Sequence, residues 1–203
     1  MRNDIKIHRQ KLIEFLNAVQ ATDQRGNMLL VEEAIENAIN IILEQADKGG
    51  KLMVIGNGGS AAIASHMAID FWKNAGIKAL AFNDGALLTC VSNDHGYSHV
   101  FEKSIEMFAE YNDVLLAFSS SGNSENILRG VVAAQEKQGR IITFSGFKED
   151  NLLRKTGEIN FYVPVAHYGF VEVIHHALCH CFIDVIIQNK SKLTEKATVH
   201  ESH

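Results

Sequence analysis

KLMVIGNGGSAAIASHMAIDFW, residues 51–72, and DVLLAFSSSGNSENILRGVVAAQEKQ, residues 113–138, follow one pattern. Each opens on a nearly unbroken apolar run, passes through a loop of small polar residues and continues with helical apolar spacing. Such a run reads as a strand buried on both faces, and a helix between two of them implies parallel neighbours joined by right-handed crossovers. The pattern recurs at IKALAF (77–82), RIITFSG (140–146) and INFYVPV (159–165). The expected fold is therefore α/β: a doubly wound, five-stranded parallel sheet flanked by helices, with an N-terminal helical extension.

That extension covers residues 1–48. Ile5, Leu12, Ile13, Phe15, Leu16 and Val19, then Leu29, Leu30, Val31, Ala34, Ile35, Ala38, Ile39, Ile42 and Leu43, space as two amphipathic helices. Their apolar faces exceed what one sheet needs for cover, which points to burial against another subunit. The sheet domain is expected over 49–190, its last helix at 168–189 carrying Val171, Ile174, Leu178, Phe182, Val185 and Ile186. A polar tail is expected over 191–203.

Across the 203 residues, 46% hydrophobic and 21% charged are ordinary globular proportions that exclude a disordered, collagen-like or coiled-coil chain. The net charge of −5 and 19 scattered Lys and Arg argue against a nucleic-acid partner. Small anionic ligands stay open. The three cysteines make no even framework and read as reduced thiols. MRNDIKIHRQ lacks the apolar core of a signal peptide, and no uninterrupted apolar stretch reaches the roughly 18–20 residues that cross a bilayer. The expectation is a cytoplasmic protein with no membrane partner.

The two loops carry the chemistry. Gly56-Asn57-Gly58-Gly59-Ser60 lets backbone approach a ligand closely at a helix N-terminus, whose free N–H groups attract an anion. Its spacing is neither that of a dinucleotide fingerprint nor that of a P-loop. Ser119-Ser120-Ser121-Gly122-Asn123-Ser124 offers four hydroxyls at a second helix start, a neutral cradle for phosphate oxygens. Ser60 and Ser124 could each instead cap their helices. Both loops leave the carboxyl edge of the sheet, where ligands of open α/β folds bind.

The paired loops, the H-x-x-x-acid that follows GNGGSAA, the segment SNDHGYSHVFEKSIE and the late helix reaching His180 together resemble the sugar isomerase (SIS) family, most closely its bacterial phosphoheptose isomerases. The resemblance runs from about Lys51 to Ile187. It implies a phosphate cradle at Ser119, Ser120, Ser121 and Ser124, and sugar contacts at Asn57, Gly58, Gly59, Asn93 and Asp94. It also implies one Zn²⁺ per subunit on His66, Asp70, Glu172 and His180, with Glu172 near substrate, where family members typically carry His, Glu, Gln and His. A homotetramer is implied as well.

From the residues themselves, His66 and Asp70 lie four apart on one helix face, a spacing suited to chelation. Glu172, His176 and His180 form a stripe at i, i+4 and i+8, so His176 competes as a ligand and only the resemblance prefers the outer pair. The reaction implied is aldose–ketose isomerisation through a metal-assisted enediol, most simply sedoheptulose 7-phosphate to D-glycero-D-manno-heptose 7-phosphate in heptose biosynthesis. Asp70 would be the base and His180 its partner. The opposed reading is a non-catalytic SIS module resembling relatives that bind the replication initiator DnaA. Those relatives lack the metal constellation.

Overall fold

The computed structural model describes the backbone of residues 1–200 and the side chains of residues 1–190. Helix α1 (Arg2–Asn17) leads into a hairpin of β1 (Gln20–Asp23) and β2 (Met28–Leu29), followed by α2 (Val31–Asp47). Then come β3 (Leu52–Ile55), α3 (Gly59–Lys73), β4 (Ala79–Ala81), α4 (Gly85–His95), α5 (Val100–Phe108), β5 (Val114–Ser119) and α6 (Glu125–Glu136). β6 (Arg140–Gly146), β7 (Ile159–Val163) and α7 (Tyr168–His200) complete the chain. Helix α7 outruns the expected 168–189. The expected polar tail at 191–203 lies outside the residues whose side chains are described.

All five expected strands are present and parallel, in the order β4-β3-β5-β6-β7. The N-terminal segment differs from the helical pair read from sequence. β1 pairs antiparallel with β7, β2 with β1, and the sheet has seven strands. Val19, counted as a helical apolar position, stands just before this hairpin, and Leu29, counted likewise, is part of it. Its turn is local chemistry: Asp23 Oδ1 accepts from the backbone N–H groups of Arg25 and Asn27, each at 2.8 Å, and Gly26 takes a φ of +83°. A two-residue strand has no periodicity to read, and the partner edge on β7 lies more than a hundred residues away.

Strand alternation sorts the core into two layers. Leu52, Val54, Val114, Leu116 and Phe118 pack under α2, α3 and α7, whereas Met53, Ile55, Leu115 and Ala117 pack under α5 and α6. Phe118, Phe144 and Phe161 stack across three strands at centroid distances of 4.4 and 5.2 Å, and Phe182 of α7 closes on them. Such pairs add about 0.5–1.5 kcal/mol each beyond area burial. The segment Tyr168–Lys190 is long and apolar enough to cross a membrane. Here it is a core helix, with Val171, Ile174, Leu178, Phe182 and Ile186 buried against the sheet.

Two buried polar groups make the fold testable. Asp113, fully buried at the start of β5, accepts from Lys51 N at 2.9 Å, Lys51 Nζ at 2.7 Å and Glu110 N at 2.7 Å. It ties β5 to β3. Asp113→Ala removes the nearer partner of the Lys51 ammonium, leaves it only Glu110 at 3.5 Å and empties the acceptor of two backbone N–H groups, so it should lower the unfolding free energy by about 2–3 kcal/mol, below the about 3–5 of a fully broken buried pair. The midpoint of urea unfolding measures this. His175 is fully buried on Phe118 and Phe144, its Nε2 against Ser145 O at 3.1 Å. Burial pushes its pKa down to about 4. Below about pH 6.5 the unfolded chain takes up this proton and the native chain does not, so stability present above pH 6.5 drains away as pH falls toward 4. The loss is on the order of 3 kcal/mol. Urea titrations at pH 7.5 and 5 should show about 2 kcal/mol of it, and His175→Gln should flatten the difference.

Candidate active site

Strand β3 continues through α3 to β4 on one side, while β5 continues through α6 to β6 on the other, and β3 and β5 are neighbours in register Leu52↔Val114. The chain therefore reverses its winding between them, and a crevice opens at their carboxyl ends. The two small-residue loops meet there. They line a cavity of about 240 Å³ with residues 57–60 on one side, 119–121 and Ser124 on the other, and Phe118, Tyr168 and Glu172 closing it.

The serine loop presents hydroxyls at the N-terminus of α6. Ser119 Oγ donates to Ser124 Oγ at 3.1 Å, and Ser121 Oγ accepts from Asn123 N at 3.3 Å. Ser120 Oγ is buried with no partner. Ser124 occupies the cap position, yet its side chain makes no capping bond. Ser60 is not a cap either: α3 starts at Gly59, with Gly58 before it at φ +55°. The hydroxyls are thus unspent by the helix, and among the described residues no Lys or Arg lines the cavity. An orphaned hydroxyl costs free energy unless a ligand satisfies it. Gly122 shapes the loop: its φ is +67°, and a Cβ there would stand 2.0 Å from Asn151 Oδ1.

Asn57 is held by a reciprocal amide pair with Asn126, at 2.9 Å and 2.8 Å, and its Oδ1 also accepts from Tyr97 Oη at 2.9 Å. One of its N–H bonds is left for a ligand. Asn126 and Tyr97 were not singled out from the sequence; Tyr97 sat within the quoted SNDHGYSHVFEKSIE, but no spacing ties Asn126 to Asn57 across 69 positions. Asn93 and Asp94 are exposed on α4, bonded to each other at 2.9 Å, and do not line the cavity.

A second cluster joins α3 to α7. Ligand atoms of His66, His176 and His180 lie within 4.8 Å of one another. Asp70 Oδ2 is 3.2 Å from His66 Nε2 and 3.9 Å from His180 Nδ1, while Asp70 Oδ1 accepts from Asn74 Nδ2 at 3.1 Å. His176 Nε2 is buried with no partner, and burial first, then His180 and His66, lowers the histidine's pKa. Three imidazoles facing one another with a lone pair unspent, and a carboxylate beside them, fit a borderline divalent cation such as Zn²⁺. Of the expected ligands the structure brings together His66, Asp70 and His180, adds His176, and places Glu172 in the cavity against Gly59.

An SIS domain model (SIS_2) matches residues 14–146. A phosphoheptose isomerase of Proteus mirabilis is 35% identical over 168 residues, covering 79% of this chain and 86% of that protein. Phosphoheptose isomerase structures from Neisseria gonorrhoeae and Francisella tularensis superpose with TM-scores of 0.78 and 0.81 at 29% and 26% identity. They cover 91% and 93% of this chain, and 98% of each of those. Joined to the paired loops at the switch point of the sheet, these matches lead to one conclusion: the chain belongs to the SIS-domain family and, within it, to the phosphoheptose isomerases.

Proposed function

We propose that this phosphosugar isomerase converts sedoheptulose 7-phosphate to D-glycero-D-manno-heptose 7-phosphate, in heptose biosynthesis, through a metal-assisted enediol. The observation that carries the reading is the hydroxyl cradle with its orphaned Ser120 Oγ, which opens into the same cavity as a carboxylate. The phosphate sits on Ser119, Ser120, Ser121 and Ser124 at the positive end of α6. Asn57 and the backbone of Gly58 and Gly59 face the sugar hydroxyls. His66, His176, His180 and Asp70 would hold Zn²⁺, which when bound supplies Lewis-acid polarisation of a carbonyl oxygen. Asp70 and His180, expected from sequence to move the proton, stand in this cluster. The test is incubation of the zinc-loaded protein with a panel of five- to seven-carbon ketose phosphates, with the aldose phosphate quantified. Turnover of the seven-carbon ketose is expected, and turnover of none of the panel would sink the reading.

Assembly follows from α1, which has no buried residue and exposes Ile5 at 55% and Ile13 at 61%. Trp72 of α3 is 54% exposed as well. Apolar surface of this kind favours association, and the family resemblance implies four copies. Sedimentation velocity should show a homotetramer that Ile13→Glu with Leu16→Glu dissociates; a wild-type monomer at all concentrations would refute it. The three free thiols, Cys90, Cys179 and Cys181, suit a cytoplasmic enzyme.

A further inference from the structure

We infer that Glu172 is the proton-transferring base of this isomerase, seated by Gly59, while Asp70 serves the histidine cluster. The inference rests on the isomerase reading above. Among the described residues Glu172 is the one carboxylate lining the cavity that holds the serine cradle. Among the described residues no hydrogen bond or ion pair engages its oxygens, which leaves their lone pairs for a proton. Asp70 is differently placed: one oxygen faces His66 and His180, the other accepts from Asn74, and neither lines the cavity.

Gly59 explains how the carboxylate reaches this position. A Cβ built on Gly59 would lie 2.2 Å from Glu172 Oε2 and 2.7 Å from Oε1, so any side chain there would expel it. Gly59 is also the first residue of α3, and the free N–H groups of that helix start favour a negative charge beside them. Like charges repel, so a substrate whose phosphate sits on the serines turns its uncharged carbonyl end toward Glu172. An acid at this position, unlike a neutral amide, is a group able to take a proton.

The step balances without any external oxidant. For a ketose with its carbonyl on C2, Glu172 takes a proton from C1, the C1–H electron pair becomes the C1=C2 bond, and the C2=O π pair moves onto oxygen, which takes a proton from water. Return of the proton from Glu172 to C2 uses the C1=C2 pair, while the C1 hydroxyl gives its proton back to water and its O–H pair becomes the C1=O bond of the aldose. General-base catalysis of this kind contributes about 10²–10⁴-fold.

The experiment compares Glu172→Gln, Glu172→Ala and Asp70→Asn with the wild type for kcat, KM and zinc content. Glu172→Gln should lose about 10²–10⁴-fold in kcat, with KM within about threefold and zinc unchanged. Glu172→Ala should keep its zinc and regain turnover when sodium formate is added, which a misfolded variant or a lost positioning contact would not. Wild-type kcat in Glu172→Gln, or zinc lost from Glu172→Ala, would overturn the assignment while leaving the isomerase reading intact. No turnover by the wild type on any ketose phosphate would take both down.

Discussion

Ser120→Ala combined with Ser124→Ala should raise the KM for the sugar phosphate by about 10²–10⁴-fold. Each hydroxyl bonded to a charged phosphate oxygen contributes about 1.5–3 kcal/mol, and two such losses sum to about 3–6. Folding should be almost untouched. Ser120 Oγ has no partner within the protein, so its removal breaks nothing, and Ser124 gives up one bond from Ser119 at 3.1 Å. Unchanged thermal stability with a large KM shift is therefore the diagnostic pair. Ser121→Ala should do less, because its hydroxyl is already turned to Asn123 N. A double variant that binds the sugar phosphate as tightly as the wild type would remove the phosphate from this loop.

Zinc should be lost from His176→Ala, and equally from His66→Ala and His180→Ala, with affinity falling more than about 100-fold, the upper end of what loss of a merely supporting partner costs. Glu172→Ala should retain the ion. The reason is geometric: the ligand atoms of the three histidines converge within 4.8 Å, and His176 Nε2 is buried with nothing to bond, whereas Glu172 lies across at Gly59. Elemental analysis of the purified variants reads the outcome directly. Zinc kept by His176→Ala and lost by Glu172→Ala would restore the ligand set that the family resemblance implies.

The five parallel strands were legible in the chain because burial on both faces demands nearly unbroken apolar runs, and KLMVI, DVLLAF and RIITF are short runs of that kind bounded by glycine, serine or charged residues, in series with helical stretches. The serine and glycine loops were legible for a related reason: their place after a strand and before a helix is a local property. The hairpin at 20–29 was not, since β1 and β2 are too short to show a period and exist only because β7 offers an edge.

At the site the division is sharper. Helical spacing alone puts Glu172, His176 and His180 on one stripe and His66 with Asp70 on another. It cannot say which residue of α3 each member of the stripe meets, because that depends on how α3 and α7 lie against each other over the sheet. Packing decided it, turning His176 toward His66 and leaving Glu172 over the one residue, Gly59, that has no side chain to exclude it. The Asn57–Asn126 pair and the Tyr97 bond to it are likewise products of the crossover that brings β5 beside β3. By itself, then, the sequence determined the five parallel strands, the two loops and the inventory of ligating side chains, all governed by periods and turns a few residues long. Which of those side chains share a cavity was decided only by the tertiary structure, because contacts between groups tens of residues apart are set by how whole helices dock, and no local period records that.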